Sequence, residues 1–152
     1  MKGLVALALV ALGTGAPVVA QEPSPHAPAP GQQVLGFYVG TLPCADCSGI
    51  RTELTLLSDG SGRASYWLKE TYLGKPEKDG TFESGGGWSV EPGAHDAKAE
   101  VYRLSEARSR EKRFFLKVGH DELRMLDRSG RPIDSTRDHS LKRRPTRPES
   151  SR

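Results

Sequence analysis

Hydrophobic and polar residues alternate along the chain from about residue 34 to residue 142, and turn-forming residues recur at short intervals. In the run 51–57, Thr52, Leu54 and Leu56 fall on one face of an extended chain, which is typical of a strand that buries one side. No segment shows sustained helical spacing. After a first strand that ends before Cys44, the pattern predicts strands over 51–57, 63–73, 81–83, 88–90, 99–104, 113–118, 122–126 and 131–141.

About eight short antiparallel strands in succession predict an all-β fold, either an up-and-down barrel or a sandwich. We favour the closed barrel because closure removes the exposed edges of the sheet. The glycines at 85–87 indicate a bend or bulge that helps the sheet to curl. The run Asp127–Gly130 predicts a hairpin turn in which Gly130 adopts a positive φ.

The chain begins with the pattern of a secretory signal peptide over residues 1–20, in which Lys2 precedes an apolar run from Leu4 to Leu12 and small residues end at Ala20. The apolar run is too short for a membrane span, which needs about 20 residues. We therefore expect cleavage before Gln21 and a mature periplasmic protein without a transmembrane segment.

Three further regions follow the expected cleavage site. Residues 21–33 contain four prolines and predict an extended spacer. Residues 34–143 carry the strand pattern and form the predicted barrel domain. Residues 144–152 are basic and rich in proline and serine, and they predict a disordered tail.

Charge and motifs exclude several classes of function. The net charge is +3 and falls to +2 without Lys2, which is too small to indicate a nucleic-acid partner. The chain lacks the GxSxG, HExxH and GxxxxGK motifs and a GxGxxG that opens a helix. We therefore predict no enzyme activity, no catalytic residues and no residues that bind an organic cofactor.

Cys44 and Cys47 are the only cysteines, and they stand three positions apart in a loop after the first predicted strand. As thiolates they are soft ligands that suit Cu(I), whereas Zn(II) requires about four ligands and the chain has no second pair. The alternative is a structural disulfide, although a four-residue ring contributes only roughly 2 kcal/mol. A thioredoxin-like oxidoreductase is disfavoured because Ser48 and Gly49 lead directly into a strand rather than a helix.

Other residues near or beyond the pair offer weaker signals. Asp46 lies between the cysteines and is predicted to accept a hydrogen bond from the turn backbone, with an oxygen ligand as the alternative. The spacing of His120 and His139 does not indicate a metal site, and His26 and His95 are predicted to be surface residues.

Five aromatic residues can either fill a core or line a cavity for an apolar ligand. Because the chain has few apolar residues, we predict that they fill the core. They are Tyr66, Trp67, Phe82, Trp88 and Phe114.

Several separated motifs resemble one known family. The run GFYVGTLPCADCSGI over 36–50, TELTL over 52–56, TYLG over 71–74, GW over 87–88 and MLDRSGRPIDS over 125–135 are similar, in this order, to the NlpE N-terminal domain family. The resemblance implies a small lipocalin-like β-barrel and a role in copper resistance or in sensing envelope stress. This chain has Gln21 where the family has its lipid-attachment cysteine, and it ends before a second, OB-like domain, so we expect a protein without a lipid anchor.

The leading hypothesis is a periplasmic, NlpE-like barrel that binds copper or senses its redox effects through Cys44 and Cys47. The alternative is a lipocalin-like module that binds a small apolar ligand or an envelope protein, in which Cys44–Cys47 is a structural disulfide.

Overall fold

The computed structural model of the chain describes residues 26–146, apart from the side chains of residues 77 and 78. The predicted signal peptide, the first residues of the predicted spacer (21–25) and the end of the predicted tail (147–152) lie outside the described residues. None of the helices in the described part has the length and apolar character needed to cross a membrane.

Eight strands form a closed antiparallel barrel in which each strand pairs with the next one along the chain and the last pairs with the first. The barrel predicted from the sequence is confirmed, and the sandwich is wrong. The elements are β1 (Gln33–Leu42), β2 (Ile50–Ser58), β3 (Ala64–Tyr72), α1 (Glu77–Gly80), β4 (Thr81–Pro92), β5 (Glu100–Glu106), β6 (Lys112–Val118), β7 (Glu122–Met125) and β8 (Ser140–Arg143).

The inward face of the barrel is an apolar core built by alternation. Thr52, Leu54 and Leu56 are all buried, as their spacing predicts. The core cluster comprises Tyr38, Leu42, Leu54, Leu56, Tyr66, Leu68, Leu104, Phe115, Leu123 and Leu141, with Trp88, Tyr102 and Met125 packed against it.

The seam that closes the barrel is short. Only Tyr38↔Arg143 and Val39↔Lys142 are paired between β1 and β8, whereas β1 pairs with β2 along its whole length. The strands also come very close at Gly40, where an added Cβ would lie 2.3 Å from the carbonyl oxygen of Ser140. Glycine is therefore required at this position of the seam.

The glycines at 85–87 do not interrupt the sheet. β4 is one strand over 81–92, and its pairing with β3 and β5 keeps a constant register. Of the predicted bend or bulge, the bulge is therefore absent at this position, and the register shift lies instead in β1, between Val34 and Gly36. Gly86 allows a close approach of strands, because a Cβ there would lie 2.0 Å from the carbonyl oxygen of Ser105.

The last predicted strand, 131–141, is wrong for most of its length. β8 begins only at Ser140, and an irregular connection follows β7, with one isolated bridge between Leu126 and Pro132. Proline has no N–H to donate to a ladder, and the residues after it are mainly polar. The predicted turn at its start is present: Asp127 Oδ1 accepts from the N–H groups of Ser129 and Arg131, each at 2.8 Å, and Gly130 has a φ of 74°.

The aromatic residues occupy different environments. Tyr66 is buried in the core and Trp88 packs against it, as predicted. Phe82 is 57% exposed and contacts Tyr72 edge-on, so its predicted core position is wrong. Alternation specifies the face of a strand but not how near a residue lies to the open end of a barrel.

Trp67 points to the outside of the barrel, since its neighbours along β3 point into the core. The ring of His26 stacks on it with centroids 4.7 Å apart, and the His26 N–H donates to Thr55 Oγ1 at 3.1 Å. Gln32 Nε2 also donates to Ser65 Oγ at 3.3 Å. The proline-rich segment before β1 therefore lies against the outer wall of β2 and β3 over its described residues.

One ion pair crosses the barrel interior. Glu70 is paired with the buried Thr52 on β2, and Arg113 is paired with the core residue Leu104 on β5, so both charged side chains point inward. Arg113 Nη1 donates to Glu70 Oε1 at 2.6 Å, and Nη2 donates to Glu70 Oε2 at 2.9 Å. This pair therefore connects two strands that are not neighbours in the sheet, β3 and β6, across the barrel.

Candidate functional site

The cysteine loop, residues 43–49, connects β1 to β2 at one end of the barrel. Cys44 and Cys47 form a disulfide with their Cα atoms 5.4 Å apart. Gly49 has a φ of 149°, which favours glycine, and its carbonyl oxygen accepts from the Leu73 N–H at 2.9 Å. The end of the loop is therefore fixed to the connection between β3 and β4, while both cysteines stay partly exposed.

The surroundings of the two sulfur atoms are polar. Cys44 Sγ lies 3.5 Å from Asp46 Oδ1, and Cys47 Sγ lies 3.3 Å from the carbonyl oxygen of Gly49. A disulfide sulfur carries no hydrogen, so these are contacts and not hydrogen bonds. The carboxylate of Asp46 lies beside sulfur and not on a backbone N–H of the described turn, which differs from the prediction.

A second wall faces the cysteine loop and comes from the far end of the sequence. Arg137 Nη1 donates to the carbonyl oxygen of Cys44 at 3.2 Å. Arg137 and Asp138 line an open cleft of about 420 Å³ together with Cys44, Cys47 and Ser48. We call this the cysteine cleft. The sequence did not indicate that either residue 137 or 138 belongs to the site.

The histidines do not complete a metal site at the pair. His120 lies in the turn between β6 and β7, at the opposite end of the barrel, with Nδ1 2.7 Å from Asp121 Oδ1. His139 lines a second cleft of about 390 Å³, beside the cysteine cleft. Among residues 26–146, no three His, Cys, Asp or Glu side chains are arranged to hold a metal ion.

The donor set is therefore two sulfurs, which become metal ligands only when the disulfide is reduced. Two thiolates on one short loop suit a soft ion that accepts few ligands, such as Cu(I). They do not suit Zn(II), which requires about four ligands. The chemistry available at this site is thus redox exchange of the pair, or coordination of a soft cation by the dithiol.

Known proteins match most of the barrel. The sequence profile of the family described as NlpE N-terminal domain matches residues 38–136. Lipoprotein NlpE of Escherichia coli strain K12 is 38% identical over 102 residues, which are 67% of this chain and 38% of that protein. The chain thus corresponds to less than half the length of this curated relative.

Two solved structures have the same fold. The crystal structure of the Cpx pathway activator NlpE from E. coli is similar with a TM-score of 0.51 and 36% identity, over 70% of this chain and 48% of that one. A Shewanella oneidensis structure described as that of a lipoprotein is similar with a TM-score of 0.52 and 34% identity, over 71% of this chain and 86% of that one. The order of the motifs, the eight-stranded barrel and the profile match agree, and the chain belongs to the NlpE N-terminal domain family.

Proposed function

We propose that this chain is a periplasmic sensor of the NlpE type that responds to copper, or to the redox change that copper causes, through Cys44 and Cys47. The observation that carries the proposal is the partly exposed disulfide in an open cleft at the end of a closed barrel. The relative whose structure is described as a Cpx pathway activator supports a role in envelope-stress signalling.

The proposed chemistry has two balanced steps. A dithiol reductant gives two electrons and two protons to the Cys44–Cys47 disulfide and becomes a disulfide itself. The two thiols then lose their protons as they bind one Cu(I) ion through sulfur. The partial exposure of both cysteines supports access for the reductant and for the ion.

The barrel interior favours this function over a lipocalin-like one. Large side chains from opposite walls, including Phe115, Leu54 and Leu104, are nearly fully buried and fill the space that a carried ligand would occupy. The two clefts described above lie outside this core and have mixed polar linings. An apolar ligand would have to displace the core residues.

A Cu(I) titration tests the proposal. The reduced wild-type protein and its Cys44→Ser variant each compete for Cu(I) with a chromogenic chelator. His120→Ala serves as the matched control because it removes a side chain of a metal-binding type at the opposite end of the barrel. We expect tight binding by the wild type and by His120→Ala, and its loss in Cys44→Ser, since a hydroxyl does not replace a soft donor.

The variant remains interpretable because it should fold. A four-residue ring contributes only roughly 2 kcal/mol to the free energy of unfolding, and circular dichroism checks that the barrel is retained. Equal Cu(I) affinity of reduced wild type and Cys44→Ser would refute the metal function. Protein isolated without reductant should show no reactive thiols.

A further inference from the structure

The cysteine cleft shares a wall with a second cleft. Arg137 and Asp138 line both, and the second cleft also contains Arg124, Met125 and His139. The shared wall belongs to the irregular connection between β7 and β8. We call residues 132–139 the linking segment.

The linking segment is held mainly at its ends. Pro132 forms the isolated bridge with Leu126 at the start, and at the end the carbonyl oxygen of His139 accepts from the Met125 N–H at 2.9 Å. Between these points, the side chain of Arg137 reaches across to the carbonyl oxygen of Cys44, 93 residues away in sequence.

We propose that Arg137 couples the redox state of the cysteine pair to the conformation of the linking segment. The disulfide closes a ring of four residues and so fixes the backbone of Cys44, whose carbonyl oxygen accepts the bond from Arg137. Reduction by a dithiol opens this ring, as described above, and lets the carbonyl turn away. The linking segment then loses its central contact with the barrel.

An unpaired polar atom lies at the end of the linking segment. His139 Nε2 is buried and has no hydrogen-bond partner among the described residues. A buried ring nitrogen without a partner lacks the hydrogen bond that it makes in water. Release of the segment would hydrate this atom and open the second cleft.

The proposal rests on the proposed function only in that the pair must change between disulfide and dithiol, and it does not require copper. It assigns Arg137 as a positioning residue that transmits the change. Because coupling between two sites is reciprocal, Arg137 must also shift the equilibrium between disulfide and dithiol by the same factor by which reduction loosens the segment.

Amide hydrogen exchange by NMR measures the first effect. The useful amides are those of Arg137, inside the segment, and of Ser140, the residue that follows it. They donate to Ser135 Oγ at 3.1 Å and to Asp138 Oδ1 at 2.9 Å, and both acceptors belong to the segment. In the wild type we expect the exchange rate of these amides to rise about 2- to 10-fold on reduction, the factor that corresponds to the net free energy of one ordinary hydrogen bond. In Arg137→Gln, exchange should be fast in the oxidised protein already, and reduction should add nothing.

The redox equilibrium measures the second effect. With a dithiol buffer, the equilibrium of Arg137→Gln should shift about 2- to 10-fold toward the dithiol, and Arg137→Lys should recover part of the shift because lysine keeps a charged donor. Arg124→Gln is the control, since Arg124 lines the second cleft but donates to Glu122 and not to the cysteine loop.

The outcomes separate this proposal from the copper function. Unchanged exchange on reduction in the wild type, or equal redox equilibria for wild type and Arg137→Gln, would overturn the coupling. An equal shift in Arg124→Gln would also overturn it, because the effect would then come from general loss of positive charge. Failure of the copper function, seen as absence of tight Cu(I) binding by the reduced wild type in the titration above, leaves each of these results unaffected.

Discussion

The ion pair between Glu70 and Arg113 inside the barrel leads to a prediction about the stability of the fold. Replacing Glu70 with glutamine keeps the shape of the side chain but leaves the guanidinium of Arg113 inside the barrel without its counter-charge. The two side chains are only 13% and 32% exposed. Burial lowers the pKa of Arg113, but the hydrogen bonds and charge of Glu70 outweigh this and raise it overall. In the variant the influence of Glu70 is lost, yet Arg113 stays charged because the ordinary pKa of a guanidinium lies far above neutral pH.

The size of the effect follows from the geometry. With charge centres about 4 Å apart and an effective dielectric constant near 20, the attraction is about 4 kcal/mol. Desolvation of both groups offsets part of it, and removing one member leaves the other uncompensated. We therefore expect Glu70→Gln to lower the free energy of unfolding by about 2.5 kcal/mol, less than for a fully buried pair because Arg113 is partly exposed.

Urea unfolding, followed by tryptophan fluorescence, measures the change. With a slope of about 1.5 kcal/mol/M, a loss of about 2.5 kcal/mol lowers the midpoint by about 1.7 M. Arg113→Met, which keeps the apolar stem of the side chain, and the double variant complete a double-mutant cycle. The double variant should be more stable than the sum of the single losses implies, by about 1.5 kcal/mol or more. Additive losses would refute the inference that the pair stabilises the barrel.

Two further predictions concern other parts of the barrel. Gly86→Ala should lower the free energy of unfolding by about 2–3 kcal/mol, because its Cβ would overlap the neighbouring strand β5. The control Gly87→Ala, whose Cβ would lie 3.7 Å from its nearest neighbour, should lower it by under about 1 kcal/mol. Equal losses in thermal melts would contradict the close approach of the strands at Gly86. Hydrogen bonds from Lys142 and then Ser140 lower the pKa of Glu122 to about 2 from its ordinary value near 4.5. The ionised carboxylate therefore stabilises the barrel fully above about pH 4.5, and this stabilisation is lost as the pH falls toward 2. Over this interval the melting temperature of Glu122→Gln should fall less than that of the wild type, and parallel curves would exclude the effect.

Periodicity predicted the parts of this fold that repeat. The spacing of Thr52, Leu54 and Leu56 indicated both the strand and its buried face, and the succession of such runs indicated an antiparallel barrel. The same rule could have identified the internal ion pair, because Glu70 falls on the face of Leu68 in its strand. A charge at a core position is a signal that a partner lies across the barrel.

The second wall of the cysteine cleft could not be predicted in this way. Arg137 reaches Cys44 only because the barrel closes and brings the connection before β8 next to the loop after β1. This connection is irregular, so alternation carries no information about it, and the prediction of a strand over 131–141 concealed it. The position of Cys44 and Cys47 between two strands was evident from sequence, but their neighbours depended on tertiary structure.

The short seam between the first and last strands affects how the chain reaches its folded state. Each strand from β2 to β8 can pair with its predecessor as it appears, but the barrel closes only when residues 140–143 are available to β1. Until then the chain is a curled sheet with two open edges, and each edge can accept a strand from another molecule.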